Sequence, residues 1–188
     1  MASDILVLDN FLEPNEFNKV SRYFNDYCQW QYSPFVTNDP HQGKVPADDE
    51  FQFVHVFWYP TKGIASDKFE HVSPVVNKLN PGILVRVKGN LNTRTPEVVQ
   101  RDWHIDYDYG NKTAIYYINT CDGYTEFEET GQKVESIRNR IVIFDGSMRH
   151  RGTTTTNSKI RMLINFNYIP AKDPSTYKYK YVDWKNPT

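Results

Sequence analysis

Apolar residues recur along this chain at two spacings, and the change from one to the other divides it. Ile5-Leu6-Val7-Leu8 is a short apolar run closed by Asp9-Asn10, which predicts a first strand. From Phe11-Leu12-Glu13-Pro14-Asn15-Glu16 the spacing lengthens. Phe17, Val20, Phe24 and Tyr27 recur at three- and four-residue steps, predicting a helix to about Tyr27 with one apolar stripe packed on a sheet. Ser33 to Glu50 carries Pro34, Pro40, Gly43 and Pro46 and reads as a long loop, a length often associated with lids. Phe51 to Tyr59 is aromatic and β-branched, hence a strand, whereas Asp67 to Leu79 is a weaker helical segment interrupted by Pro74. Gly82 to Asn92 predicts another strand, with Ile83, Val85 and Val87 on one face and Leu84, Arg86 and Lys88 on the other.

Beyond Pro96 the pattern is predominantly β. Candidate strands are Val98 to Asp106, Thr113 to Asn119, Tyr124 to Glu128, Lys133 to Ser136, Arg140 to Phe144, His150 to Thr153 and Lys159 to Ile169. Gly110-Asn111, Asp122-Gly123, Gly131, Asp145-Gly146 and Asn157-Ser158 separate them. Many short strands at this spacing predict a sandwich or closed barrel. The tail from Tyr177 to Trp184 alternates aromatics with lysines and suits an edge strand or a surface cover.

A length of 188 residues suits one domain with a sizeable core. The expectation is a single domain over 1–188: helical support to about residue 80, a β core over about 82–169 and a tail over 170–188. An aromatic content of 15%, with 13 Tyr and 11 Phe, favours the pleated surfaces of a β-rich fold. The formal charge of −1, from 22 basic and 23 acidic residues, supplies no general drive toward nucleic acid or anionic lipid. No stretch approaches the ~20 apolar residues of a membrane span, and the first residues are acidic where a signal peptide would be basic. A soluble, cytoplasmic protein is expected. Cys28 and Cys121 suggest no disulfide framework and read as small apolar residues.

Chemistry enters with His104-Ile105-Asp106, because residues i and i+2 of a strand project from one face and can grip one ion together. A third ligand must come from elsewhere, and His150 follows the apolar run Ile141-Val142-Ile143-Phe144 and the turn Asp145-Gly146-Ser147. Two imidazoles and one carboxylate on one side of a metal leave opposite positions open, as in non-haem Fe(II) oxygenases. An H-x-D alone is weak, since a solvated strand end carries the same residues. Arg161, eleven positions beyond His150 on the apolar run Ile160 to Phe166, adds to it. A cation among such neighbours needs an anion, either a structural Asp or Glu or a bound carboxylate.

These blocks resemble the 2-oxoglutarate/Fe(II)-dependent oxygenase superfamily, particularly its prolyl-hydroxylase-like branch. The similarity runs through His104-Ile105-Asp106, Thr113-Ala114-Ile115-Tyr116-Tyr117-Ile118-Asn119, Gly123-Tyr124-Thr125-Glu126-Phe127 and Arg138-Asn139-Arg140-Ile141-Val142-Ile143-Phe144. It continues with His150-Arg151-Gly152 and with Arg161 before Asn165-Phe166. The resemblance implies a mainly β fold with flanking helices, a double-stranded β-helix or cupin-like jelly-roll. It implies that His104, Asp106 and His150 bind Fe(II), that Arg161 pairs with the distal carboxylate of 2-oxoglutarate and that Tyr117 donates a hydrogen bond to it. The implied reaction consumes dioxygen and 2-oxoglutarate, hydroxylates a substrate and releases succinate and carbon dioxide. Two departures concern the co-substrate: the frequent Gly-Gly-x-Thr turn here has Tyr124 in place of its second glycine, and Leu163 stands where some members carry Ser or Thr.

The prime substrate, a peptide or small molecule, is not identified by any motif, and a prolyl residue in a peptide or protein is the first guess by resemblance. Arg86, Asn90 and Asn92 face either the pocket or solvent; Trp103 and the aromatics of Phe51 to Tyr59 read as packing; His41, His55 and His71 lack a paired ligand spacing. Two other readings stay open at this point. One is a cupin-like metalloenzyme without 2-oxoglutarate, and the other a non-catalytic jelly-roll binding module.

Overall fold

The computed structural model describes residues 5–36, 50–108 and 110–171. Of the expected features, His41, most of the Ser33 to Glu50 loop and the Tyr177 to Trp184 tail lie outside them. The elements are β1 (Leu6–Leu8), α1 (Pro14–Arg22) continued by a π-helical turn (Tyr23–Tyr27), β2 (Gln31–Ser33), β3 (Gln52–Tyr59) and β4 (Gly63–Ile64). A 3-10 turn (Phe69–His71), α2 (Ser73–Leu79) and the long β5 (Pro81–Thr93) follow. The remainder is β6 (Lys112–Tyr117), β7 (Tyr124–Phe127), β8 (Lys133–Glu135), β9 (Ile141–Asp145), β10 (His150–Gly152) and β11 (Ile160–Pro170).

The strands form two antiparallel sheets, one ordered β1-β9-β6-β11-β5-β3-β2 with β4 added to β3, and a smaller one ordered β10-β7-β8. This is the expected jelly-roll. Strand alternation gives the large sheet two unlike faces. On β11, Met162, Ile164, Phe166 and Tyr168 join Phe17, Val20, Tyr23 and Phe24 in one core beneath the helices. Leu163 points the other way with Ile115 and Tyr117 of β6, and meets Phe127, Val134 and Phe144 in a second core between the sheets. Phe24 lies so close over β5 that a Cβ on Gly89 would stand 2.9 Å from its ring, which only glycine permits.

The N-terminal segment is clipped onto this frame by Asn139, which sits at φ 62°, in the left-handed region that Asn tolerates. Its Oδ1 accepts from the Leu12 N–H (2.9 Å) and the Tyr116 hydroxyl (2.6 Å), and its Nδ2 donates to the Leu12 carbonyl (2.9 Å). The first 80 residues thus provide not only helices but β1 to β4 of the large sheet.

Local expectations differ from the structure in three places. Pro74 opens α2 instead of interrupting a longer helix, since its missing N–H and fixed φ suit a first turn. The three-residue β2 and two-residue β4 were not anticipated, being too short to show a period. Val98 to Asp106 is not a continuous strand: it touches its neighbours through isolated bridges, Gln100 with Thr153 and His104 with His150. Between those bridges the Asp102 carbonyl accepts from His104 Nδ1 at 3.1 Å, a local bond that competes with a ladder.

Candidate metal centre

The isolated bridge is what joins the proposed ligands. His104 and His150 exchange both backbone hydrogen bonds (3.0 and 2.9 Å), which sets their rings 4.6 Å apart. The ligand atoms of His104, Asp106 and His150 all lie within 4.8 Å of one another, and His150 Nε2 is 3.8 Å from Asp106 Oδ2. Each imidazole is oriented by a carbonyl: His104 Nδ1 faces the Asp102 oxygen and His150 Nδ1 the Met148 oxygen, both at 3.1 Å. A carbonyl only accepts, so Nδ1 carries the proton and Nε2 keeps the lone pair a metal needs. Burial is the main force pushing the His150 imidazolium down to about 4, which keeps that ligand neutral.

Asp106 is held from the opposite side. Arg86 Nη2 donates to its Oδ1 at 2.7 Å, and Asn165 and Asn167 donate to Oδ2 at 2.7 and 3.3 Å. Burial works against the charged carboxylate, but Arg86, the two imidazoles and the Asn165 amide outweigh it and hold the group well below the usual carboxylate range. Asn167 also accepts from Arg86 Nε at 3.1 Å, so the guanidinium is fixed in direction.

The centre opens into a cavity of about 600 Å³ between the sheets. The inner face of β5 supplies its floor through Arg86, Lys88, Asn90 and Asn92, which resolves the open question of that face in favour of the pocket. Across the β5–β11 pairing, Asn167, Asn165, Leu163 and Arg161 stand opposite them in order. Trp103 and Tyr59 also line the cavity, Trp103 with Arg151 stacked 4.1 Å above its ring. His55 bonds Gln29 and Ser66, and His71 stacks on Tyr23 at 4.0 Å.

Arg161 reaches the far end of the same cavity at 1% exposure. Among the described residues it forms no ion pair. Its guanidinium donates to Ser136 Oγ (2.7 Å), the Thr153 carbonyl (3.2 Å) and Thr125 Oγ1 (3.3 Å). The Tyr117 ring lies 5.7 Å away, and its hydroxyl donates to Thr125 Oγ1 at 2.8 Å, behind the cavity wall. Gly123 makes room for this side chain: a Cβ there would stand 2.5 Å from Arg161 Cδ and 2.6 Å from the Thr154 carbonyl. The turn therefore keeps the glycine that Arg161 needs, while Tyr124 replaces the other and accepts from Gln100 through its hydroxyl.

Lys88, Thr125, Ser136, Asn165 and Asn167 did not emerge from the sequence as site residues. The signal for Lys88, Asn165 and Asn167 is alternation: β5 and β11 carry polar side chains at successive second positions, which in one strand reads as a solvated face, whereas Thr125 and Ser136 carry no such pattern. Only the pairing of the two strands shows that this face is enclosed.

No family model matches the sequence, and no curated protein matches it. Solved structures do. The epimerase SnoN from nogalamycin biosynthesis, described as non-heme and alpha ketoglutarate dependent, aligns with a TM-score of 0.62 at 10% identity, over 90% of this chain and 78% of that one. An oxidoreductase of the 2OG-Fe(II) oxygenase family from Burkholderia pseudomallei gives 0.61 at 10% identity, over 87% and 84%. A Trichoplax adhaerens prolyl hydroxylase, solved with a hypoxia inducible factor peptide fragment, gives 0.55 at 14% identity, over 87% and 83%. The chain has the double-stranded β-helix fold of the 2-oxoglutarate/Fe(II) oxygenases. Within that fold it carries a cluster of two histidines and one aspartate beside a buried arginine.

Proposed function

We propose that this protein is a 2-oxoglutarate- and Fe(II)-dependent dioxygenase, a single cytoplasmic domain that hydroxylates an organic substrate and releases succinate and carbon dioxide. The observation that carries the reading is the pairing, in one cavity, of the His104, Asp106 and His150 cluster with a buried Arg161 whose partners among the described residues are neutral. A set of two imidazoles and one carboxylate fits Fe(II) and leaves positions for other ligands. The bound iron and 2-oxoglutarate supply the oxidising chemistry with dioxygen; the chain supplies ligation, orientation and exclusion of water.

In this reading Arg161 grips the distal carboxylate of 2-oxoglutarate and fixes its direction, since a fork of N–H donors matches a carboxylate. Thr125 and Ser136 hold the guanidinium in place, and Tyr117, expected to donate to the carboxylate directly, acts through Thr125, whose hydroxyl oxygen accepts from it. The carbonyls behind His104 and His150, and Arg86 with the two asparagines behind Asp106, keep the ligands aimed at one point. A prolyl residue in a peptide is the first candidate substrate, by resemblance to the prolyl-hydroxylase-like branch.

Anaerobic titration with Fe(II) and 2-oxoglutarate tests the reading. The wild type should develop a metal-to-ligand charge-transfer absorption and Asp106→Ala should not. A well-folded wild type without the band sinks the proposal.

A further inference from the structure

Lys88 lies nine-tenths buried on the cavity floor. Among the described residues its ammonium has no carboxylate within ion-pairing distance and no hydrogen-bond acceptor. Arg86, two residues earlier on the same face, is committed to Asp106. Asp106 is near enough to favour the ammonium, but its carboxylate is already paired with Arg86, so the buried charge of Lys88 stays under-compensated unless a ligand brings an anion.

The walls around Lys88 offer lone oxygens. Asn165 is its partner across the β5–β11 pairing, and Asn90 follows two residues on along β5. Both side chains are more than nine-tenths buried and line the cavity, and the Oδ1 of each lacks a hydrogen-bond partner. Asn165 meanwhile donates from Nδ2 to Asp106, so these groups border the metal centre. They are also set apart from the co-substrate end. Arg161 pairs with Asn92 and Asn165 with Lys88, a four-residue step worth roughly 13 Å along the strands.

We propose that Lys88, flanked by Asn90 and Asn165, is the recognition site for the prime substrate, which carries a carboxylate with an N–H or O–H donor beside it. The carboxylate satisfies Lys88, and the adjacent donor satisfies the amide oxygens. This rests on the reading of the cavity as an oxygenase active site, and it narrows the substrates to organic acids, free or as acidic residues of a peptide.

The test uses the protein loaded with Mn(II) and saturating 2-oxoglutarate, which occupies Arg161, and measures paramagnetic relaxation of probe protons. The probes are acetate, its neutral isostere acetamide, and a tripeptide with central aspartate blocked at both ends. Acetate should bind roughly tenfold tighter than acetamide through charge-assisted pairing. Lys88→Gln should erase that preference and Lys88→Arg restore it, with 2-oxoglutarate affinity unchanged in both. Binding of the tripeptide as well as acetate identifies an acidic peptide as the substrate class; binding of acetate with exclusion of the tripeptide identifies a free acid. Equal binding of acetate and acetamide, a preference that survives Lys88→Gln, or a parallel loss of 2-oxoglutarate affinity in that variant overturns the proposal. A wild type in which the 2-oxoglutarate protons themselves show no relaxation sinks the oxygenase reading, and this inference with it.

Discussion

Arg86 and Arg161, buried at 3% and 1% exposure, stand at opposite ends of the cavity, and their surroundings differ in one respect. Arg86 meets a carboxylate at 2.7 Å and an amide oxygen at 3.1 Å. Arg161 meets two hydroxyls and a carbonyl. Burial opposes the charge of Arg161, and no carboxylate among the described residues offsets it. Arg86 is thus consumed within the protein, where it fixes the Asp106 carboxylate, while Arg161 has no anion among the described residues. Position in the fold does not distinguish them, since both face inward from neighbouring strands. The partner does.

Stability measurements should separate the two most sharply. Arg86→Met leaves Asp106 buried against a neutral side chain, and denaturant unfolding of the metal-free protein should show a loss of about 3–5 kcal/mol. Adding Asp106→Leu to that variant should recover most of it, because no uncompensated charge remains. Failure to recover would mean that the pair does more than neutralise itself.

Arg161→Met breaks no ion pair among the described residues, so its unfolding free energy should stay within about 1 kcal/mol of wild type. Its 2-oxoglutarate affinity should fall about a hundredfold, as loss of a bidentate charge-assisted contact implies, while metal affinity holds. Equal losses of metal and 2-oxoglutarate binding would erase the contrast with Arg86. Gly123→Ala should have the smallest effect on 2-oxoglutarate binding of the two changes at this end: its methyl would crowd Arg161 Cδ and the Thr154 carbonyl, costing about 1–3 kcal/mol in stability. Calorimetry should show weaker 2-oxoglutarate binding with the metal unaffected, and a neutral result would mean that Arg161 is not confined by the turn.

How far these features were readable follows from what sets each of them. The layered β architecture was legible because alternation along β6, β9 and β11 is a local property of the chain. His104, Asp106, His150 and Arg161 were legible through order and spacing among several blocks. The geometry behind the His104, Asp106 and His150 cluster was not: His104 and Asp106 were expected side by side on a strand, whereas a short bridge to His150 positions His104, and Arg86 with two asparagines positions Asp106. Arg86 joins Asn165 and Asn167 at Asp106 because β11 lies against β5, and no local pattern states which strands are neighbours. Lys88 was hidden for the same reason, its face being equally compatible with solvent.

The clip between Leu12 and Asn139 joins residues 127 apart in sequence, and β1 pairs with β9 across a similar distance. Such closure has a kinetic consequence. Chains dominated by distant pairings fold in about milliseconds to seconds, because loop-closing entropy is lost before the contacts that offset it form. Until β5 and β11 meet, Arg86, Lys88, Asn90 and Asn92 lie on a strand paired on its β3 side alone, and the cavity floor is incomplete. The cavity is therefore a product of the completed sheet: its floor needs β5 and β11 side by side, and β11 is the last strand along the described chain.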